Sequence, residues 1–308
     1  MRVADSRVVA WPTSQRGAPA MKALVLIAVQ VGVTLTVFGF GLNAAVEDLR
    51  RLISQPGLLV RSLLAVFVVM PILAVALVTV FDLHPTVRIA LVALAISPVP
   101  PLIPRRESMA RGSTAYGLGL MPILAALSIL TIPVSLGALN RILDRSFQVS
   151  PAVVASIALR TALVPLAAGI IVRALMPPVA ARIEKPVSRL ASALVIVAVV
   201  GLLAGTASAV WALVGNGTIV AMIVFTLTGL AVGHLLGGPD PDRSVVLALS
   251  TACRHPAMAV TVASANFPDE RFGGAIVLYL IVSVLVTVPY LVWRRWTSAA
   301  VQPAARPV

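Results

Sequence analysis

One apolar stretch of the chain, VVLALSTACRHPAMAVTVASA at residues 245–265, carries an arginine, a histidine and a proline at its centre. A charged side chain at the depth of a bilayer centre is costly and needs partners, so it indicates a functional site by default. Pro256 removes a backbone donor and disrupts the helix directly beside Arg254 and His255. The stretch therefore predicts a membrane-spanning helix that is broken at a charged position.

A second apolar stretch is interrupted in a similar way near residue 97. The residues of this break are Ser97, Pro98, Val99, Pro100, Pro101 and Pro104, and the charged run that follows is Arg105, Arg106 and Glu107. Two broken spans with charges at their breaks are the sequence pattern of a secondary transporter's binding site.

The composition predicts a polytopic helical membrane protein. Of the 308 residues, 59% are hydrophobic and only 11% are charged, and the mean hydropathy is +1.01, whereas soluble domains carry about 25% charged residues. The net charge of +13 does not predict nucleic-acid binding, because the basic residues lie mostly in loops between apolar spans. The lone cysteine, Cys253, excludes an internal disulfide and a cysteine-based metal cluster. Metalloprotease, nucleophile-elbow and phosphate-loop motifs are missing, so an enzyme is not predicted.

At about 20 apolar residues per crossing, the sequence predicts nine transmembrane helices. They lie near residues 22–44, 56–81, 85–110 (broken), 114–139, 151–176, 188–213, 217–237, 244–266 (broken) and 271–293. Charged, proline and glycine residues mark the loops between them, as in the charged turn from Glu47 to Arg51. The breaks fall five helices apart, so the two broken helices cross in opposite directions. This spacing predicts two inverted five-helix repeats, residues 22–139 without an opening helix and residues 151–293.

Lysines and arginines predict the orientation, because cytoplasmic loops are enriched in them. One side of the membrane holds only Arg88, Arg141, Arg145 and Arg271 in its loops. The opposite side collects Arg50, Arg51, Arg111, Arg173, Arg182, Lys185, Arg189, Arg243, Arg294, Arg295 and Arg306, together with Arg105 and Arg106 if these two reach the surface. The richer side is predicted to be cytoplasmic, which makes residues 294–308 a cytoplasmic tail in a bacterial inner membrane. The polar stretch 1–21 then lies outside with several basic residues, and a translation start at Met21 is one explanation.

From about Leu24 to Trp296 the chain resembles the bile acid:sodium symporter family. The residues that carry the resemblance are Gly39-Phe40-Gly41-Leu42 through Arg51, the break Pro98–Pro104 with Arg111-Gly112 after it, and Ser250, Arg254 and His255 at the second break. The chain is similar to a bacterial branch with Ser-Pro-Val-Pro-Pro and Arg-His-Pro at the two breaks. The resemblance implies a core of helices two to four and seven to nine, a panel of helices one, five and six, and alternating access between them.

The sodium sites that the resemblance implies fall on residues poorly suited to bind sodium. Those positions read Ile103, Pro104, Gly117, Met121, Ser250 and Arg254. Sodium needs oxygen ligands, and a guanidinium has permanent positive charge and no acceptor. Sodium binding is therefore doubtful, although backbone carbonyls at the breaks remain as possible ligands. No metal or cofactor is predicted.

The predicted substrate is a small organic anion, because Arg254 with Arg105 or Arg106 favours carboxylates, as do half-helix N-termini. Ser97, Ser250 and His255 are the other predicted substrate-binding residues. The sequence does not predict the oligomeric state.

Arg254 has two further interpretations: a salt bridge to Glu107, or a permanent replacement for the sodium charge. His255 and Glu107 together suggest a proton-coupled carrier, and exchange is a second alternative mechanism. A membrane sensor or accessory subunit that does not transport is the alternative from another functional class.

Overall fold

The computed structural model describes residues 18–43, 46–97, 113–143, 152–153, 156, 159–267 and 272–301. These ranges fold into helices and contain no strand. In chain order the helices are α1 (Ala18–Asn43), α2 (Val46–Ile53), α3 (Pro56–Leu64), α4 (Met70–Val80), α5 (Pro85–Ile96), α6 (Thr114–Leu143), α7 (Val164–Leu175), α8 (Pro177–Ala212), α9 (Thr218–Leu236), α10 (Pro241–Ala252), α11 (Pro256–Asn266) and α12 (Gly273–Val301). A π-helical turn, Ala65–Val69, joins α3 to α4, and another, Leu159–Leu163, precedes α7.

Four segments of the described residues are long and apolar enough to cross a membrane. They are Pro56–Val80, Ala115–Leu139, Thr218–Leu236 and Gly273–Thr297. The predicted eighth span is two half-helices, α10 and α11, which are separated at Cys253–His255. The described part of the predicted third span is α5, and the break at residues 98–104 lies outside the described residues. The count of nine helices and the two inverted repeats stay predictions.

Three predicted boundaries are wrong. The charged turn at residues 47–51 is instead part of the helix α2, in which Leu52 is buried and Arg50 and Arg51 are exposed. Helix α8 begins at Pro177, eleven residues before the predicted 188, and α12 continues to Val301, beyond 293. Hydropathy detects only the part of a helix that lies in the bilayer, whereas polar residues such as Lys and Glu extend a helix readily into water.

Each half-helix begins with the same local chemistry, an acceptor side chain followed by proline. Nδ1 of His84 accepts from the Thr86 N–H at 3.3 Å before α5, and Oδ1 of Asp240 accepts from the Asp242 N–H at 2.9 Å before α10. Nδ1 of His255 accepts from the Met258 N–H at 3.3 Å before α11. The acceptor satisfies one free N–H of the first turn, and proline suits the position after it. These caps fix where each half-helix starts.

Helices α1, α7 and α8 pack on one another, whereas α3 to α5 and α9 to α12 form the larger group. In the smaller group, a methyl carbon placed on Gly41 would collide with the Leu166 carbonyl oxygen and would lie 2.8 Å from Cα of Gly169. The backbones of α1 and α7 therefore touch. A small apolar cluster of Val37, Leu166 and Met121 connects this pair to α6.

Small residues also set the contact between α9 and α10. Gly229, Gly233 and Gly237 recur every four residues and face Ala252, Ala248 and Ser244, in that order. A methyl carbon on Gly229 would lie 2.7 Å from Cα of Ala252, and one on Gly233 would lie 2.5 Å from Cα of Ala248. Such close approach is how helices associate in membranes, where burial of apolar surface gives no net drive. We call this contact the glycine seam.

Most basic residues lie at one end of the helices, which we call the basic end. Arg294 donates from Nη2 to the Pro241 carbonyl at 3.2 Å, and the Ser113 N–H donates to the Asp242 carbonyl at 3.2 Å. These contacts bring the C-terminal part of α12 and the start of α6 to the start of α10, and Arg61 lies beside the α9–α10 turn. The basic residues at this end are Arg50, Arg51, Arg61, Arg173, Arg182, Lys185, Arg189, Arg243, Arg294 and Arg295. The opposite end holds Lys22, Arg88 and Arg141 among the described residues.

Candidate functional site

Arg254 is a buried cation bound by backbone carbonyls of two other elements. Its side chain is 1% exposed. Nη1 donates to the Ser97 carbonyl at 3.2 Å, and Nη2 donates to the Val66 carbonyl at 3.1 Å. One guanidinium therefore connects the α10–α11 link to the end of α5 and to the π-helical turn between α3 and α4.

Both carbonyls are free to accept for local reasons. Ser97 follows the last residue of α5, so its carbonyl has no intrahelical donor, and it lies at the negative end of the helix dipole. Val66 lies in the π-helical turn, where a carbonyl pairs with the N–H five residues later. That residue is Pro71, which has no N–H. The guanidinium supplies the two donors that the helices lack.

No carboxylate pairs with Arg254 within the described part of the chain, where Arg243 and Asp240 form the one salt bridge, at 3.0 Å. The ionisable side chains that act on the guanidinium are Tyr279 and Cys253. Nε of Arg254 is also buried and has no hydrogen-bond partner among these residues. The predicted pair with Glu107 lies outside the described residues. The site as described therefore holds a net positive charge.

His255 is the buried cap of α11. It is 4% exposed, and because Nδ1 accepts from the Met258 N–H, the neutral ring carries its hydrogen on Nε2. Nε2 is buried without a partner in the described ranges. Adjacent residues thus each present a buried N–H that lacks an acceptor, Nε of Arg254 and Nε2 of His255.

The other predicted site residues divide into two groups. Ser97 is buried, and its hydroxyl donates to the Ala93 carbonyl at 2.6 Å, so its carbonyl is the group that meets Arg254. Ser250 is buried in the last turns of α10, and Pro256 is the first residue of α11. The predicted residues that lie outside the described part of the structure are Arg105, Arg106, Glu107, Pro98, Pro100, Pro101 and Pro104.

Sequence reasoning missed three contributors to the site. The Val66 carbonyl has no sequence signal, because Pro71 would free the Phe67 carbonyl in a regular α-helix and frees the Val66 carbonyl only in the π-helical turn. The Tyr279 hydroxyl donates to the Ala252 carbonyl at 2.8 Å. It thus supplies a donor to a carbonyl at the end of α10, as Arg254 does for the Ser97 carbonyl at the end of α5. The hydroxyl of Thr251 is buried beside the break and has no partner among the residues described.

A cavity of about 320 Å³ lies between α4, α5, α6 and α11, at the end of the helices opposite the basic end. Its lining is mainly apolar, and its polar side chains are Arg88 and Asn266. The cavity follows α5 from Arg88 to Ile96, roughly 12 Å at 1.5 Å per residue. It therefore leads from the end of the helices to the residue before Ser97.

The profile of the sodium bile acid symporter family matches residues 30–213, more than half of the chain. The chain belongs to this family. The protein is therefore an integral membrane protein of a transporter family, as the resemblance predicted, and its apolar helices agree with that class. The matched residues include Val66 and Ser97 and end before Arg254.

A curated relative is also a transporter by its name. The chain is 23% identical over 245 residues to "Uncharacterized sodium-dependent transporter YocS" of Bacillus subtilis (strain 168), a match that covers 76% of this chain and 72% of the relative. The name of this relative describes it as sodium-dependent.

In this symporter-family protein, replacing His255 by leucine is expected to lower the free energy of unfolding by about 1 kcal/mol, because α11 loses its cap. His255→Asn keeps an acceptor and is expected to keep most of that stability. Thermal melting in detergent measures both variants. His84→Leu and His84→Asn are the matched controls at the exposed cap of α5, where the difference between the two replacements is expected to be smaller. Equal melting temperatures for His255→Leu and His255→Asn would contradict the capping role.

Proposed function

We propose that the protein is a secondary carrier that moves a small organic anion across the membrane by alternating access. The observation that supports this best is the buried Arg254, which lies where α5 and α10 end and has no carboxylate partner among the described residues. A buried charge without a counter-charge is strongly unfavourable, so an anion that reaches it gains interaction energy.

The two unsatisfied donors specify the kind of anion. Buried N–H groups are nearly always hydrogen-bonded in native proteins, and a carboxylate accepts several such bonds without offering any donor. Nε of Arg254 and Nε2 of His255 lie on adjacent residues of the break. Bonds from charged donors to carboxylates are among the stronger hydrogen bonds in proteins. An organic carboxylate is accordingly the proposed substrate class.

Alternating access needs two groups of helices that move relative to each other. Helices α1, α7 and α8 would form the panel, and α3 to α6 with α9 to α12 would form the core, in accord with their packing. The cavity that ends at Ile96 would admit the anion from the opposite end, where Arg88 supplies positive charge. The basic end would face the cytoplasm of a bacterial cell, together with the C-terminus.

Sodium symport is the second candidate function. It is supported by the family description and by the relative's name, both of which refer to sodium. In that case the bound anion and sodium would cross together, and anion uptake would depend on a sodium gradient.

Exchange of an external labelled anion for the same internal unlabelled anion tests the proposed carrier. Proteoliposomes in choline buffer would be loaded with each member of a panel of carboxylates from pyruvate to octanoate, together with the permanently charged bile-acid conjugate taurocholate. At least one anion is expected to exchange, and Arg254→Gln is expected to slow that exchange at least tenfold, because it removes the charge at the break.

Arg295→Gln is the matched control, since Arg295 is an exposed arginine at the basic end, and it is expected to exchange at the unaltered rate. Exchange by Arg254→Gln at that same rate would refute the proposed site. Failure of every anion to exchange, with and without sodium, would favour a sensor or accessory subunit.

A further inference from the structure

We infer that the Arg254 guanidinium is a covalently attached substitute for a mobile coupling cation. The protein would therefore bind no sodium at the junction where the Ser97 and Val66 carbonyls meet Arg254. It would carry its anion without sodium. The statement about transport rests on the proposed function, whereas the statement about the cation site does not.

The geometry of the junction is that of a cation site. In secondary transporters, the C-terminal ends of half-helices and unwound backbone carbonyls coordinate sodium or protons. Here the end of α5 presents the Ser97 carbonyl, and the π-helical turn presents the Val66 carbonyl. The guanidinium binds these two oxygens at 3.2 and 3.1 Å. A positive charge thus already occupies the place where such carbonyls hold a free ion.

The charge at this place is permanent. A guanidinium does not lose its proton in proteins, and Arg254 is almost completely buried. A sodium ion bound at the same carbonyls would displace the donors of Arg254 and would lie beside a second positive charge. Electrostatic repulsion in a medium of low dielectric constant therefore opposes sodium binding in the unaltered protein.

A mobile proton on His255 does not replace the missing ion. A proton on Nδ1 would convert the acceptor of the Met258 N–H into a donor that faces it. The resulting imidazolium would lie at the positive end of α11 and next to Arg254. The other ionisable groups that act on the guanidinium, Tyr279 and Cys253, are not carboxylic acids. The described residues thus provide a fixed cation without a proton carrier beside it.

Removal of the guanidinium is expected to restore a site for a free cation. In Arg254→Ser, the Ser97 and Val66 carbonyls lose their donors, and the new space is lined by these oxygens and by the introduced hydroxyl. The buried hydroxyl of Thr251, on the last turn of α10, is a further oxygen close in sequence. Several oxygen ligands in one desolvated space are what sodium requires.

Thermal melting of the purified protein tests the inference without a known substrate. Sodium chloride would be titrated against choline chloride at constant ionic strength, for the unaltered protein, Arg254→Ser and the exposed control Arg295→Ser. The melting temperature of the unaltered protein and of Arg295→Ser is expected not to change with sodium. That of Arg254→Ser is expected to rise by several degrees and to saturate, because a ligand that binds only the folded state stabilises it.

Guanidinium chloride at low millimolar concentration provides a second readout. It is expected to raise the melting temperature of Arg254→Ala but not that of Arg295→Ala, since a free guanidinium ion fits the space that the side chain leaves. A saturable sodium response of the unaltered protein would overturn the inference, and this result does not depend on whether a variant folds. A folded Arg254→Ser and a folded Arg254→Ala that respond to neither cation would overturn it as well.

The melting experiments and the transport experiments can fail independently of each other. A sodium response confined to Arg254→Ser, together with no exchange of any anion, would support the inference that Arg254 replaces the cation. The same result would contradict the proposed carrier function. Anion exchange that requires sodium, together with a sodium response of the unaltered protein, would support the proposed carrier function. The same result would contradict the inference that Arg254 replaces the cation.

Discussion

An inside-negative potential of about 100 mV is expected to drive a monovalent anion out of proteoliposomes that contain the unaltered protein, until its concentration outside is about fifty times that inside. The reason is charge balance, because with Arg254 fixed in the protein each cycle moves only the charge of the anion. Moving one charge through 100 mV corresponds to about 2.3 kcal/mol, and 1.36 kcal/mol corresponds to a factor of ten. In a cell with an inside-negative membrane, the same balance favours export.

The measurement uses vesicles loaded with labelled anion and potassium, in which valinomycin and a potassium gradient set the potential. The control is equal potassium on both sides, where the anion is expected to distribute evenly. Accumulation that follows a sodium gradient and ignores the potassium potential would contradict the expected charge balance. It would then support the symport mechanism that the names of the family and of the relative suggest.

Replacing Gly233 by valine is expected to destabilise the protein by about 3 kcal/mol or more, the largest stability effect expected among the changes considered. A side chain at this position would press on the Leu247 carbonyl oxygen and on Cα of Ala248, which are backbone atoms that cannot rotate away. Helices α9 and α10 would have to move apart, and this movement would displace Arg254, which follows α10. Thermal melting and the yield of monodisperse protein measure the effect.

Gly137→Val is the matched control. Gly137 lies in α6, is exposed, and has no atom within 4 Å of the added methyl carbon. This variant is expected to melt within a few degrees of the unaltered protein, since it changes helix propensity alone. Equal loss of stability in Gly233→Val and Gly137→Val would show that the glycine seam does not limit stability.

The broken span at Arg254 could be predicted from sequence because its signals are local. A charge inside an apolar run and a proline beside it each act on the residues next to them. The partners of Arg254 could not be predicted in this way. They are backbone oxygens of Ser97 and Val66, 157 and 188 residues away in the chain, and every residue carries such an oxygen. The side-chain partner that the sequence suggests, Glu107, lies outside the described residues.

The sequence predicts a turn where the structure has helix α2, for a related reason. Glu47, Asp48, Arg50 and Arg51 are charged, and charge between two apolar runs is typical of a loop. The helix is instead stabilised by its position at the basic end, where Leu52 is buried while Arg50 and Arg51 are exposed. A pattern of eight residues is too short for its helical period to be distinguished from a charged loop without this context.

The short length of α10 bears on how the protein enters the bilayer during synthesis. Its 12 residues extend about 18 Å, less than the hydrocarbon thickness of about 30 Å. It is therefore expected not to insert alone, and the glycine seam would allow α9 and α10 to insert together as a hairpin. Val66 and Ser97 precede this hairpin in the chain, so they leave the ribosome first. The oxygens that bind Arg254 are therefore expected to enter the membrane before the guanidinium does.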